Sequence, residues 1–394
     1  MDIAELVTAA SRVLSQRLGT EIRLRTHEML GGRAGNVVVR VRSIHPAQGR
    51  PSSFVVKAGP RTVPYAKEML LNDWAALEFL GKLGLAPALC PRLFGGDSST
   101  PFIVTEDLGM NAAEPHEILD GAEPDHAEAA LILYMKCLGQ LHSATMGKSA
   151  QFRPIWQSLG GEPYAKSLYH DPWSCCQGRE SVEILQAIRE YEDVLRLLDI
   201  VPQSGFDEEI ASVTHRIEEC PEQYSVLCPG DQNGPGGCLY TSLGIRLIDF
   251  GACGFRHPLV EGMPHRLTWG CTKRIPRRLY SRLEGSYQSE LARGYKEAAD
   301  DTFFHTAMIN AAARWNIFHT IWRVPDALHG DRPRGATSLR QQVVAWLDAF
   351  SEMSDEFNQM RCLGNSARRL LSRLKQLWPA ESHTIPYYSA FKND

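Results

Sequence analysis

The sequence has no long hydrophobic run, no strong excess of charge of one sign and no paired C-x-x-C units. The apolar run Leu131–Met135 stops at Lys136, so no segment approaches the roughly 20 apolar residues of a membrane-spanning helix. The formal net charge of −4 argues against a generalised nucleic-acid or membrane surface. We therefore expect neither nucleic acid nor membrane as a partner.

Two further absences concern the cellular compartment. The opening residues MDIAELVTAASRVL lack the basic start and unbroken apolar core of a signal peptide. The ten cysteines are scattered, which argues against a zinc site and favours free thiols in a reducing environment. We expect a cytoplasmic protein.

The length of 394 residues suggests two lobes or domains with ample core. The first part alternates strands with glycine-rich or polar loops, which predicts an antiparallel meander with a helix packed beside it. The predicted elements are a helix over residues 1–20, strands Glu21–Met29, Val37–Val41 and Ser53–Ala58, a helix Tyr65–Leu83, and strands Arg92–Phe94 and Phe102–Thr105.

The remainder is predicted to be mostly helical. Helices are expected near 125–146, 180–200, 205–218, 285–298, 301–323, 337–361 and 364–377. A hairpin with strands Gly237–Thr241 and Ile245–Ile248 interrupts them. Phe152–Gly178 is expected to be irregular, and the tail after Pro379 to be extended or frayed.

Two acids flank the hairpin. Asp231 lies in a polar Gly/Pro-rich loop before it, and Asp249 follows its second strand, eighteen residues later. Such acids converge in space, and a nucleotide-dependent phosphotransferase needs one acid to receive a hydroxyl proton and another to hold magnesium. The alternative is a hairpin with two surface acids.

The first part carries a glycine turn, a strand that ends near a lysine, and an acid in the next helix. Backbone N–H groups of the turn Gly31–Gly35 could approach a polyphosphate, although a hairpin turn needs glycine in any case. Lys57 could contact the α- and β-phosphates with Asp73, sixteen residues later, as its partner. The alternative for Lys57 is a solvated lysine at a strand edge.

These segments resemble the aminoglycoside phosphotransferase and choline kinase-like family of small-molecule kinases. The family signature H-G-D-x-x-x-x-N and the strand ending I-D-F/L-G correspond to Pro229-Gly230-Asp231 and Leu247-Ile248-Asp249-Phe250-Gly251. The segment Phe102–Gly109 resembles the linker between lobes, and Leu138–Ser143 resembles the L-x-x-L-H helix. The resemblance covers about residues 20–265. It implies an α+β, protein-kinase-like fold with two lobes.

The resemblance also implies roles. Asp231 would accept the proton of the acceptor hydroxyl, and Asp249 would bind Mg²⁺. The sequence departs from the signature at Pro229, which replaces the histidine, and at Gly236, which replaces the asparagine that ligates magnesium. Asn233 is the substitute expected to reach the ion, with Gln232 or a water molecule as the alternatives. Glu261 occupies the last acid position of a G-D-P-x-x-D pattern that is otherwise altered.

For the nucleotide, the resemblance implies that Lys57, held by Asp73, neutralises the α/β-phosphates of ATP. Asp73 stands where the family usually has glutamate. The backbone of Glu106 and Leu108 would contact the adenine edge. The triphosphate would be covered by three glycines: Gly31, Gly32 and Gly35.

Several other residues are expected to be structural. His142 is expected to be a hydrogen-bonded core histidine. The aromatic stripe Trp315, Phe318, Ile321 and Trp322 is expected to be core rather than a substrate cage, and the basic run Arg277, Arg278 and Arg282 a solvated helix face. Five acids that could meet an ammonium substrate are more simply a solvated surface: Asp300, Asp301, Glu352, Asp355 and Glu356.

Together these observations predict a nucleotide-binding lobe at 1–105, a hinge at 106–112, and a lobe at 113–394 that carries the catalytic loop and the acceptor site. The predicted activity is transfer of the γ-phosphoryl group of ATP, with Mg²⁺, to a hydroxyl of a small molecule such as an amino sugar, an amino alcohol or another metabolite. Two alternatives stay open: a nucleotide-binding pseudokinase with a regulatory role, and a metabolite-binding protein in which the hairpin acids are incidental. Oligomeric state is left open.

Overall fold

The computed structural model describes residues 2–31, 36–46, 48–59, 64–160, 184–230, 237–267 and 273–393. Within them an antiparallel sheet precedes a mostly helical part, which confirms the predicted α+β, two-lobed fold. None of the helices in these ranges combines the length and the apolar character that a bilayer crossing requires.

The small lobe is a five-stranded antiparallel sheet with a helix against it. Helix α1, Ile3–Leu18, begins with a capping box in which Asp2 and Glu5 bond each other's backbone N–H groups. The strands run in the order β1-β2-β3-β5-β4: β1 Leu24–Gly31, β2 Val37–Ser43, β3 Ser53–Ala58, β4 Leu93–Asp97 and β5 Phe102–Glu106. Alternate residues of the strands pack against α1 in a core of their own, which includes Leu14, Val41, Phe54 and Val104.

Helix α2, Pro64–Lys82, connects β3 to β4 but shares the core of the large lobe. Its buried residues Leu70, Leu77 and Leu80 belong to the same apolar cluster as the helices that follow, as does Ile103 of β5, whereas α1 and the other buried apolar residues of the sheet strands form a separate cluster. The sheet can therefore be regarded as a layer that rests on α2.

The large lobe contains ten helices among the described residues, with short strand pairs between them. The helices are α3 Pro115–Leu119, α4 Pro124–Thr145, α5 Ser149–Ser158, α6 Ile184–Arg196, α7 Phe206–Val213, α8 Leu259–Gly262, α9 Tyr280–Leu291, α10 Asp301–His329, α11 Leu339–Phe357 and α12 Arg361–Leu377. The strands are β6 Val226–Cys228, which pairs with β9 Gly254–Arg256, the hairpin β7 Cys238–Thr241 and β8 Gly244–Leu247, and β10 Pro333–Arg334 with β11 Thr337–Ser338.

Three predictions about the helical part are wrong. The first part of the stretch Phe152–Gly178, expected to be irregular, lies in helix α5, because Phe152 and Trp156 are buried against α2 and the ring centroids of Phe152 and Phe79 lie 5.7 Å apart. Residues 161–178 of that stretch lie outside the described residues. The helix expected at 285–298 is α9, which begins and ends earlier, and a short 3-10 turn follows at Lys296–Ala299. Helix α10 continues past residue 323 to His329.

The tail is also ordered differently from the prediction. It carries two 3-10 turns, and Ile385, Tyr388 and Phe391 are all less than 5 % exposed. Apolar burial therefore fixes a segment whose polar residues predict fraying.

An ion-pair group that we call the Arg266 cluster ties several parts of the large lobe together. The guanidinium of Arg266 donates to Glu284 at 3.0 Å and to Glu356 at 2.7 Å, and His265 Nε2 lies 3.1 Å from Glu284. Arg266 and Glu284 are both buried, so each charge is compensated inside the lobe.

Candidate functional site

Three predicted site residues meet where the sheet faces the large lobe. Lys57 lies on β3, and its Nζ is 2.8 Å from Asp73 Oδ2 on α2 and 2.6 Å from Asp249 Oδ1, just after β8. Asp249 is 192 residues away from Lys57 along the chain, so the contact is a product of the tertiary fold. One ammonium group is thus shared by two carboxylates.

The two carboxylates differ in their exposure to solvent. The side chain of Asp73 is 4 % exposed, that of Lys57 19 %, and that of Asp249 47 %. Burial alone would lower the pKa of Lys57, but the negative charges of Asp73 and Asp249 outweigh burial and raise the pKa above its usual value. Lys57 therefore stays positively charged at any physiological pH.

Backbone geometry holds Asp249 in place. Asp249 has φ +64°, a left-handed conformation that is uncommon for residues other than glycine. The next N–H, that of Phe250, donates to Asp73 Oδ1 at 2.9 Å. Asp73 therefore binds the lysine with one oxygen and fixes the backbone beside Asp249 with the other.

A second set of contacts supports the same turn, and no sequence pattern predicts it. Asn72 Nδ2 donates to the carbonyl of Gly251 at 3.0 Å, and Trp156 Nε1 donates to Asn72 Oδ1 at 2.7 Å. Asn72 is adjacent to the predicted Asp73, but an asparagine inside a helix predicts no particular contact. Helix α5 carries Trp156, and that helix was predicted to be irregular.

Glu261 supports the segment that leads to Asp231. Its Oε1 accepts a hydrogen bond of 2.6 Å from the N–H of Gly230, the last described residue before the loop. Gly230 has φ +95°, and a Cβ atom there would overlap the carbonyl of Ala252, so only glycine fits. The acid at the altered pattern position thus fixes the backbone directly before Asp231.

His142 is a buried, hydrogen-bonded histidine, which confirms the prediction. Its Nδ1 lies 2.7 Å from the hydroxyl of Tyr287, which in turn donates to the carbonyl of Pro258 at 3.1 Å. Burial, with a contribution from the charge of His257, lowers the pKa of His142 to about 3, so the ring is neutral. His142 Nε2 lies 3.9 Å from Glu261, so the ring packs against the residue that supports the loop.

The remaining predicted site residues are distributed differently. Asp231, Asn233, Gly32 and Gly35 lie outside the described residues, and so does Gly236. Gly31 ends β1 with φ +104°, in open space.

Glu106 ends β5, where its carboxylate and its N–H both bond the backbone of Arg92, at 3.1 and 2.9 Å. Leu108 follows in the linker and is partly buried.

The linker itself is bound to the sheet by an arginine that the sequence analysis missed. Arg40 on β2 is 8 % exposed, and its guanidinium bonds Asp107 at 3.0 Å and the carbonyl of Gly109 at 3.3 Å. The same guanidinium contacts Glu28 on β1. Ala113, four residues after Gly109, pairs with Tyr240 of the large lobe.

No family model matches the chain, and no curated protein matches it. Solved structures do match. A choline/ethanolamine kinase family protein from Mesorhizobium loti is 12 % identical over 89 % of this chain and 92 % of its own, with a TM-score of 0.42. An aminoglycoside phosphotransferase from Alicyclobacillus acidocaldarius is 13 % identical over 89 % and 92 %, with a TM-score of 0.41. A choline kinase from Streptococcus pneumoniae is 10 % identical over 89 % and 99 %, with a TM-score of 0.37.

These structural neighbours are the kinds of protein that the motifs resemble. The overlap with each is loose, and the fold is established by the order of elements in this chain. A five-stranded antiparallel sheet with α2 between β3 and β4 is followed by a mostly helical lobe, and the β3 lysine pairs with an acid on α2. The chain therefore has a protein-kinase-like fold.

Proposed function

We propose that this protein is an ATP-dependent phosphotransferase that moves the γ-phosphoryl group of ATP to a hydroxyl of a small molecule. The observation that supports this most is the position of Lys57 Nζ between Asp73 and Asp249, at the boundary of the two lobes. Phosphate binding requires a lysine that a buried acid holds in place, and magnesium binding requires a second acid that reaches solvent.

The donor set fits magnesium and a triphosphate. The carboxylate of Asp249 offers the hard oxygen ligands that Mg²⁺ prefers, and 47 % of its side chain is exposed. Asp249 would hold the ion, which would supply positive charge beside the phosphates. Asn233 is proposed as a further ligand of the ion.

Lys57 would attract the α- and β-phosphates as a point charge, and Asp73 would keep its ammonium group in place. Asp73 is suited to this because its second oxygen is bound to the backbone of Phe250, so the acid cannot follow the lysine away from the site. Gly31, Gly32 and Gly35 are proposed to cover the phosphates, and the backbone of Glu106 and Leu108 to contact the adenine.

Asp231 is proposed as the base that accepts the proton of the acceptor hydroxyl. Support comes from the residue before it, since Gly230 is fixed by its hydrogen bond to Glu261 and by its left-handed backbone. A base is efficient only when it is held within hydrogen-bonding distance of the hydroxyl, and the Glu261 contact limits the motion of this end of the loop.

Thermal shift and ATP turnover with Mg–ATP test the proposal. Nucleotide at about 100 times its Kd should stabilise the wild type by about 2.7 kcal/mol, seen as a rise of a few degrees in Tm. Lys57→Met and Asp249→Asn should lose most of that rise. Asp231→Ala should keep the rise and lose turnover with hydroxyl acceptors. Lys82→Met is the matched control, because Lys82 is 61 % exposed and pairs only with Glu78 among the described residues.

Two results would contradict the proposal. If Mg–ATP gives the same shift in Lys57→Met as in the control, the lysine does not bind nucleotide. If the wild type binds nucleotide but never transfers phosphate, and Asp231→Ala behaves identically, the protein is a nucleotide-binding pseudokinase.

A further inference from the structure

The turn that carries Asp249 is held against α2 by two neighbouring residues of that helix. Asp73 Oδ1 accepts a hydrogen bond of 2.9 Å from the N–H of Phe250, and Asn72 Nδ2 donates one of 3.0 Å to the carbonyl of Gly251. Asp249 itself has φ +64°, and a residue other than glycine keeps such a conformation only where its surroundings impose it. The two bonds from α2 therefore help to impose the backbone conformation of Asp249.

The same turn packs closely on the surface of α2. A Cβ atom at Gly251 would lie 3.2 Å from the Cβ atom and from the carbonyl oxygen of Met69, and the thiol of Cys253 donates to the backbone carbonyl of Asn72 at 3.7 Å. The side chain of Asp249 is 47 % exposed, whereas the backbone that follows it lies against the helix. The position of the carboxylate therefore depends on how this backbone is held.

An asparagine suits position 72 because its amide joins a donor to an acceptor. Trp156 Nε1 can only donate, and it donates to Asn72 Oδ1 at 2.7 Å. The carbonyl of Gly251 can only accept, and it accepts from Asn72 Nδ2. The indole therefore fixes which end of the amide faces the turn. At position 72, an aspartate would offer no donor to Gly251, and a leucine would offer neither group.

Trp156 is in turn fixed by the core of the large lobe. It is 5 % exposed and lies on α5, one turn after Phe152. The ring of Phe152 packs against those of Phe79 on α2 and Phe255 on β9, with centroid distances of 5.7 and 5.6 Å. Packed aromatic rings thus hold Trp156, which orients Asn72, which binds the backbone two residues after Asp249.

We propose that Asn72 and Trp156 are positioning residues for magnesium, because they hold the backbone that orients the carboxylate of Asp249. This inference rests on the proposed phosphotransferase function, in which Asp249 is the ligand of Mg²⁺. Neither side chain carries a charge, so neither attracts the ion directly, and each acts through the geometry of the turn. Replacing residues that orient metal ligands typically weakens metal binding by about 10- to 100-fold.

A titration of Mg²⁺, followed by thermal shift, tests the inference. The full chain is kept with a fixed concentration of a non-hydrolysable ATP analogue, and the Mg²⁺ concentration that gives half of the metal-dependent rise in Tm is measured. Asn72→Ala removes both side-chain bonds and should raise this half-saturating concentration about tenfold. Trp156→Phe leaves the bond to Gly251 possible but frees the amide, so the increase should be smaller, about threefold.

The plateau of the same titration separates a displaced ligand from a lost one. In Asn72→Ala, excess Mg²⁺ should restore the full rise in Tm, because Asp249 is still present and only its orientation is less well held. In Asp249→Asn, excess Mg²⁺ should not restore it. A positioning role thus changes the midpoint of the titration and leaves its plateau.

Asn316→Ala is the matched control. Asn316 is a helical asparagine on α10, and its Nδ2 donates to the hydroxyl of Tyr191 on α6 at 3.0 Å rather than to the turn. Its replacement should lower the Tm measured without ligand and leave the half-saturating Mg²⁺ concentration unchanged. Asn316 is 2 % exposed and Asn72 is only partly buried, so a general loss of stability would affect the control at least as strongly.

Three results would overturn the inference: an unchanged half-saturating Mg²⁺ concentration in Asn72→Ala, an equal increase in Asn316→Ala, or a rise in Tm that excess Mg²⁺ fails to restore in Asn72→Ala. If far-UV circular dichroism shows that Asn72→Ala is unfolded, Trp156→Phe decides, and an unchanged midpoint there overturns the inference. Failure of the proposed function is distinguishable, because the wild type itself would then show no Mg²⁺-dependent rise and Lys57→Met would behave like the wild type.

Discussion

Replacing Lys57 by methionine should destabilise the protein strongly, and a second substitution should partly rescue it. Lys57→Met leaves Asp73 with 4 % of its side chain exposed and without its cation. At 2.8 Å and an effective dielectric constant of about 20, the lost attraction is about 6 kcal/mol. In the wild type, part of this attraction is offset by the cost of removing the two ions from water. We therefore expect Lys57→Met to lower the free energy of unfolding by about 3–5 kcal/mol.

Asp73→Asn in the Lys57→Met background removes the uncompensated charge. The asparagine keeps a side-chain oxygen to accept the N–H of Phe250, which donates to Asp73 Oδ1 at 2.9 Å in the wild type. The double variant should therefore be more stable than Lys57→Met alone, with a coupling free energy of at least about 1 kcal/mol. Asp249 adds little to the defect, because half of its side chain can be hydrated.

The wild type, Lys57→Met, Asp73→Asn and the double variant form a double-mutant cycle. The free energy of unfolding of each is measured in urea, followed by circular dichroism and tryptophan fluorescence. The exposed pair of Lys82 and Glu78 at 2.9 Å provides a matched control, for which Lys82→Met and Glu78→Gln should couple by no more than about 0.5 kcal/mol. A double variant as unstable as the sum of its single variants would refute the idea that Lys57 compensates a buried charge.

Three more predictions follow from other contacts. In the Arg266 cluster, burial would raise the pKa of Glu284, but hydrogen bonds from the cluster lower it to about 2. Because an unfolded glutamate titrates at about 4.3, this contribution to stability is complete above about pH 5 and is lost as the pH falls toward 2, so the pH–stability curves of wild type and Glu284→Gln should converge in acid. Trp156→Phe removes the 2.7 Å bond to Asn72 and should lower the urea-derived free energy of unfolding by about 1 kcal/mol; an unchanged value would contradict the role of that bond. Gly230→Ala should abolish acceptor phosphorylation in a coupled assay, because its Cβ would overlap the backbone and φ is +95°; wild-type turnover would contradict this.

The fold and the charged centre were predictable because their signals are local and ordered. Alternating strands, a glycine turn and the amphipathic Tyr65–Leu83 segment predict a sheet with one helix. Lys57, Asp73 and Asp249 occur in the order that the family motifs require, and the structure brings them together. The domain limits and the roles of the site residues remain predictions.

What sequence patterns did not predict depends on long-range packing. Pro154 and nearby glycines indicate an irregular segment, but burial of Phe152 and Trp156 against α2 makes residues 149–158 helical. Hydrogen bonds from Trp156 to Asn72 and from Asn72 to Gly251 join three segments that are distant in the sequence, and no local pattern predicts them. The contact of Arg40 with the linker was not predicted either, because an arginine in a strand is ordinarily solvated.

The anchoring of the linker determines where the two lobes can pivot. Gly109 is fastened to the sheet through Arg40, and Ala113 is paired with Tyr240 of the large lobe. Only residues 110–112 lie between these two anchors. In the linker, a rotation of the sheet relative to the large lobe would therefore be taken up by the backbone torsions of these three residues. Lys57 lies on the sheet, whereas Asp73 lies on α2, whose buried apolar residues belong to the core of the large lobe. The distance from Lys57 Nζ to the Asp73 carboxylate would therefore change if the sheet rotated relative to α2.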